Sequence, residues 1–220
     1  MTQTTRIRPR RILATGAATV LMASAAIAGI VASQAASSGE APTFSSTVTP
    51  AFDDGPHQGS PGVPGGAGGL TEADGILPDG VGVFDGEYPA VANIHADLLK
   101  AVRAAADDAS ADGIRFIVNS GWRSAAYQDQ LLQDALAQYG SESEAARWVL
   151  TAETSAHVAG DAIDIGPVDA QSWLSQYGAA YGLCQTYANE MWHFELRPEA
   201  ITDGCPASYS DPTEDPRTQR

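Results

Sequence analysis

His157, Asp161 and Asp164 fall within 154-TSAHVAGDAIDIG-166, a segment otherwise made of small and apolar residues. Along Ala162-Ile163-Asp164-Ile165, strand alternation sends the two isoleucines to one face and Asp164 to the other. Gly160 permits a tight turn that returns His157 toward Asp164. A neutral imidazole and a carboxylate converging on one point are two ligands of a metal site. Alone, the pair serves equally well as a structural hydrogen bond or as the orienting pair of a catalytic triad. Asp161 sits in the turn and receives no role beyond a place at the pocket rim.

A third ligand comes from 190-EMWHFEL-196, where His193 alternates with Trp192 and Phe194 and so leaves the core face. Two histidines and one aspartate with an open fourth position suit catalytic zinc. Such an ion brings the pKa of a bound water to roughly 7 and polarises a carbonyl. A neighbouring carboxylate then moves the water's proton to the leaving group. Two carboxylates compete for that task. Glu195 shares the strand face of His193, whereas Glu190 reaches it only if the chain turns before the strand; spacing leaves both open. In 120-SGWRSAAYQ-128, Arg123 lies between a buried strand and a helix, where it serves either as a surface cation or as a partner for a substrate carboxylate or oxyanion. Gln128, about one turn on, faces the same cleft.

The elements that must hold these groups are legible in outline. AVANIHADLLKAVRAAADDA places Ile94, Leu98, Leu99, Val102 and Ala106 at helical spacing, with His95 beside the stripe as a surface or boundary residue. IRFIV reads as a short buried strand. Ser124 caps a second helix that Gly140 stops, and ESEAARWVLTA suggests a shorter third. GDAIDIG is a strand, DAQSWLSQYGAAYG a helix and MWHFEL a last strand. Helices and short strands without a βαβ repeat predict an α+β fold, an antiparallel sheet with packed helices.

The 220-residue chain allows one domain with extensions over 76–205. RIRPRR followed by an uncharged apolar run reads as a signal peptide or membrane anchor over 1–35, with cleavage after SQA favoured. The arginine pair Arg10-Arg11 also fits a twin-arginine signal. Residues 36–75, rich in Gly, Pro and Ser, read as a disordered linker, with His57 a linker residue, and 206–220 as a disordered tail. Cys184 and Cys205, in an exported chain, are expected to form a disulfide, which would stiffen the segment they bracket around Glu190 and His193. The net charge of −15 disfavours nucleic acid as a partner. Membrane contact is expected only through a retained N-terminal anchor, and a monomer is expected.

SGWRSAAYQ, SAHVAGDAID and EMWH together resemble the D-alanyl-D-alanine carboxypeptidase/dipeptidase family of zinc peptidases, which includes the vancomycin-resistance enzymes. The family pattern is roughly SGYRSxxxQ, then SxHxxGxAxD, then ExxH, and it covers residues from about 90 to 200. The resemblance implies the small α+β zinc-peptidase fold shared with hedgehog signalling domains. It implies one zinc on His157, Asp164 and His193, with Glu190 rather than Glu195 as base and acid and Arg123 stabilising the oxyanion. It places Ser155 and Gln128 near the substrate. Trp122 stands where the pattern has Tyr, Met191 where it has Pro, and Glu195 where it commonly has Arg, a charge reversal expected near the metal. The implied activity is hydrolysis of D-Ala-D-Ala in peptidoglycan stem peptides outside the cell. D,D-dipeptidase, L,D-carboxypeptidase and L-Ala-D-Glu endopeptidase activity remain open, as does a non-catalytic zinc-stabilised binding module.

Overall fold

Four short strands build the sheet that carries the site: β1 (Ile117–Ser120), β2 (Ala162–Gly166), β3 (Leu183–Gln185) and β4 (His193–Leu196), in the spatial order β1-β2-β4-β3 with every pair antiparallel. The computed structural model describes residues 69–219. The signal or anchor expected over 1–35, His57 and most of the expected linker lie outside the described residues. Among the described residues no helix is long and apolar enough to cross a membrane.

Among the described residues the α-helices are α1 (Pro89–Ala92), α2 (Ala96–Ser110), α3 (Ala125–Tyr139), α4 (Glu142–Ala145), α5 (Ala156–Ala159), α6 (Val168–Tyr177) and α7 (Ala200–Asp203). Leu98, Val102, Ala105 and Ala109 of α2, with Trp173 and Leu174 of α6, meet Ile163, Ile165 and Phe194 in one buried cluster. The isoleucines flanking Asp164 therefore lie in the core, as alternation expects. A smaller cluster joins Ala135 of α3 to Ala145 and Val149, with Tyr139 stacked on Trp148.

The apolar stripe expected as one helix is divided between α1 and α2. The break serves neighbouring backbone: His95 N–H donates to Gly160 O at 2.9 Å, and Ala90 O accepts from Trp122 N–H at 2.8 Å. The helix expected over ESEAARWVLTA is only the four residues of α4. Strand β3 has too few residues to show a period and was not anticipated.

Both domain boundaries differ from expectation. Residues before 76 are already built into the fold: Thr71 caps a short 3₁₀ turn and Asp74 accepts from Ser124 Oγ at 3.0 Å. The expected disordered tail at 206–220 is instead packed over its described part, to residue 219, with two 3₁₀ turns (Pro212–Glu214 and Pro216–Thr218). Its order comes from polar contacts that hydropathy does not register. Asp211 accepts from Arg147, and Asp215, fully buried, accepts from Arg217 and Tyr187.

Cys184 on β3 and Cys205 are joined as a disulfide across 21 residues. A crosslink closing a loop of this size contributes about 3 kcal/mol on the chain-entropy account. Replacing both cysteines by alanine is expected to lower the urea midpoint accordingly; an unchanged midpoint would show the packed segment to be self-sufficient.

Candidate metal centre

Sheet register sets the core of the site. Asp164 on β2 lies directly opposite His193 on β4, and Ser120 on β1 lies opposite Asp164 from the other side. Directly opposed residues of an antiparallel pair present their side chains on the same face. His157 joins them from α5, which Gly160 ends in the left-handed conformation at φ 80°. A side chain at 160 would also strike Asn93 O, at 2.6 Å from its Cβ, so the turn requires glycine twice over.

His157 Nε2 lies 3.2 Å from His193 Nδ1, and each is 3.3 Å from Asp164 Oδ1. All three residues are buried. Gly121 O, 2.7 Å from His157 Nδ1, can only accept, so Nδ1 carries the proton and Nε2 turns a lone pair inward. Asp164 Oδ2 accepts from Arg123, but Oδ1 is buried without an aligned hydrogen bond. Such an atom costs stability unless a cation or donor completes it. Two inward imidazole nitrogens and one unsatisfied carboxylate oxygen are a donor set that fits one zinc ion with room for a further ligand.

Charge points the same way. Burial opposes ionisation of Asp164, yet the two histidines and Arg123 outweigh it and hold the carboxyl well below the usual range. Burial also opposes charge on His193, but the surrounding carboxylates of Asp164, Glu195 and Glu190 lift the ring to about 10. Burial and then Arg123 lower His157. The centre thus attracts positive charge at His193 Nδ1.

The two competing glutamates occupy different sides of the His193 ring. The chain turns at Glu190, with His193 N–H donating to Glu190 O at 3.2 Å, and Glu190 Oε2 stands 3.6 Å from Nδ1. Glu190 lines the cavity together with Arg123, His157, Asp164 and His193. Burial first, then the charges of Asp164 and Asp211, raise its carboxyl to about 7 against the pull of His193 and Arg123. Glu195 lies behind the ring, 3.3 Å from Nε2, paired with Arg197 and Arg217 and away from that cavity. The charge reversal expected at 195 therefore faces arginines and not the pocket.

Arg123 is buried and donates to Ser120 Oγ (2.8 Å), Gln128 Oε1 (3.1 Å) and Asp164 Oδ2 (3.0 Å). Two of its five N–H groups are left. Gln128 lines the cavity, but its amide is engaged at both ends, by Arg123 and by Leu150 O at 2.8 Å. Ser155 lines the cavity too, at the start of α5, and its hydroxyl is not used as a cap. Asp161 points elsewhere: it pairs with His95 Nδ1 at 2.7 Å on the exposed surface. Sequence reasoning left Trp148, Tyr187 and Pro212 out of the site, although all three wall the cavity. Nothing in their spacing marks them, since they come from three separate segments far apart in the chain.

Two histidines, an aspartate and a nearby carboxylate around one point in a small α+β fold are a donor arrangement that could hold one metal ion, of the kind hydrolytic single-metal centres use. Residues 91–199, just under half of the chain, match the family model described as VanY: D-alanyl-D-alanine carboxypeptidase. A D-alanyl-D-alanine carboxypeptidase of Enterococcus faecalis (strain ATCC 700802 / V583) is 29% identical over 113 residues, covering 40% of this chain and 42% of the relative. The chain thus spans less than half of that relative's length. Among solved structures, a vancomycin resistance D,D-pentapeptidase VanY variant in complex with Zn(II) is 26% identical, with a TM-score of 0.44 over 47% of this chain and 72% of the other. VanYB in complex with D-alanine-D-alanine is 25% identical, with a TM-score of 0.46 over 50% of this chain and 74% of the other.

Proposed function

We propose that this protein is an exported zinc D-alanyl-D-alanine carboxypeptidase acting on peptidoglycan stem peptides, with zinc held by His157, Asp164 and His193. The observation that carries the proposal is the convergence of those three donor atoms beside Glu190 and Arg123 in one buried cavity. When bound, zinc supplies Lewis acidity toward the scissile carbonyl and brings the pKa of a bound water to about 7.

The chain's own residues do the rest. Glu190, raised to about 7, accepts a proton from the attacking water and returns it to the departing amine. Its burial keeps the proton between those two partners. Arg123 steadies Asp164 through one nitrogen and offers its unused N–H groups to the developing oxyanion. Gln128 and Ser120 fix the guanidinium so that it needs no reorganisation during reaction. Ser155 offers a hydroxyl to the substrate at the cavity wall. The disulfide favours an oxidising compartment outside the cytoplasm, in line with the basic and apolar N-terminus.

Mass spectrometry of purified pentapeptide stems, incubated with the zinc-loaded protein, tests this directly. Loss of one D-alanine is expected. Release of D-Ala-D-Ala, removal of D-alanine from tetrapeptides alone or internal cleavage would each move the assignment to another peptidase specificity. An unchanged stem would leave a zinc-stabilised binding domain.

A further inference from the structure

Glu195 carries a buried carboxylate that the proposed chemistry does not use. Its Oε1 meets His193 Nε2 at 3.3 Å, on the ring edge opposite the metal-facing Nδ1. A carboxylate only accepts there, so Nε2 carries the proton and Nδ1 is the nitrogen offered to an ion. Beyond Glu195 stands Arg217, whose NH1 reaches Oε2 at 2.7 Å and whose NH2 reaches Oε1 at 3.1 Å. This two-pronged grip fixes the plane of the carboxylate. Arg217 Nε is in turn held by both oxygens of fully buried Asp215, at 3.0 and 2.9 Å. Tyr187 donates to Asp215 and lies against the His193 ring, with centroids 5.1 Å apart, closing the circuit.

Arg217 and Asp215 belong to the C-terminal segment, which lies beyond the family match at 91–199. That segment is fastened along its length. The disulfide secures Cys205, the Tyr209 backbone exchanges hydrogen bonds with Thr186 and Ala188, and Asp211 pairs with Arg147. We infer that the C-terminal segment is a working part of the metal centre, in which Arg217 orients Glu195 and Glu195 orients His193 with Nδ1 turned to the ion. Both are positioning residues; neither touches the ion. The inference rests on the assignment of zinc to His157, Asp164 and His193. Carboxylate partners behind a metal-bound histidine typically contribute about ten- to a hundredfold in metal affinity.

The test is zinc affinity, read by competition with a chromogenic chelator at fixed pH, for the full chain and for Glu195→Gln, Arg217→Ala and the double variant. Each single variant is expected to weaken zinc binding by about tenfold or more. The double is expected to be no weaker than the weaker single, because Arg217 acts through Glu195. Near-UV circular dichroism of the zinc-free forms reports whether each variant is folded. A folded Arg217→Ala with wild-type affinity, or losses that multiply in the double, would overturn the inference. A wild-type chain that binds no zinc would instead overturn the underlying assignment. Long-range ¹⁵N–¹H imidazole spectra of the zinc-loaded wild type need no variant: His193 protonated at Nε2 is expected, and a proton on Nδ1 would refute the arrangement.

Discussion

Glu190→Gln is expected to bind one zinc per chain with little change in affinity and to hydrolyse stem peptides about a hundred- to ten-thousandfold more slowly. The substitution keeps volume and one hydrogen-bonding oxygen but cannot accept and return a proton. Its effect should lie in kcat rather than KM, because the lost interaction belongs to the transition state. The matching substitution at Glu195 behaves differently, since that carboxylate lies behind the His193 ring and meets arginines. Glu195→Gln should change zinc affinity first and turnover only as metal is lost. Measuring kcat at saturating zinc for both variants separates the two glutamates. Full turnover by Glu190→Gln would remove it from the chemistry, and a large kcat loss in zinc-saturated Glu195→Gln would return Glu195 to contention.

The separation of those glutamates shows what was legible in the sequence. Alternation along AIDI and HF placed the isoleucines and Phe194 in the core and aimed Asp164 and His193 the other way, because a two-residue period is a local property of extended chain; Trp192, just before the strand, instead lines the cavity. The cross-strand register that sets Asp164 against His193 is not local, and no spacing within either strand reports it. The turn that swings Glu190 to the Nδ1 side of the ring was needed but could not be derived from alternation. Motif resemblance supplied it. The C-terminal segment was misread for a different reason. Its composition is polar and proline-rich, the usual mark of disorder, yet buried Asp215, Arg217 and a disulfide hold it. Ion pairs between positions 195 and 217 leave no periodic trace, so hydropathy sees only a tail.

Asp164→Ala should have the second large effect, and it should appear twice. Zinc binding is lost because one of three protein ligands is gone. The zinc-free protein is also destabilised, because Asp164 sits between Arg123 and both histidines, with Arg123 just 6% exposed. Removing one member of a buried ion pair leaves the other uncompensated, at a cost of about 3–5 kcal/mol. His157→Ala makes the contrast. It also removes a ligand and a partner of the Gly121 carbonyl, but Asp164 keeps Arg123 and His193, so no buried charge is stranded and its zinc-free stability should fall by less. Urea unfolding of both variants in chelator measures the structural part, and metal analysis measures the ligand part. Adding Arg123→Leu to Asp164→Ala should recover some stability, because it removes the stranded charge. If Asp164→Ala retains zinc, the ligand set is wrong. If it loses zinc but unfolds at the wild-type midpoint in chelator, Asp164 serves the ion alone and Arg123 finds its compensation elsewhere.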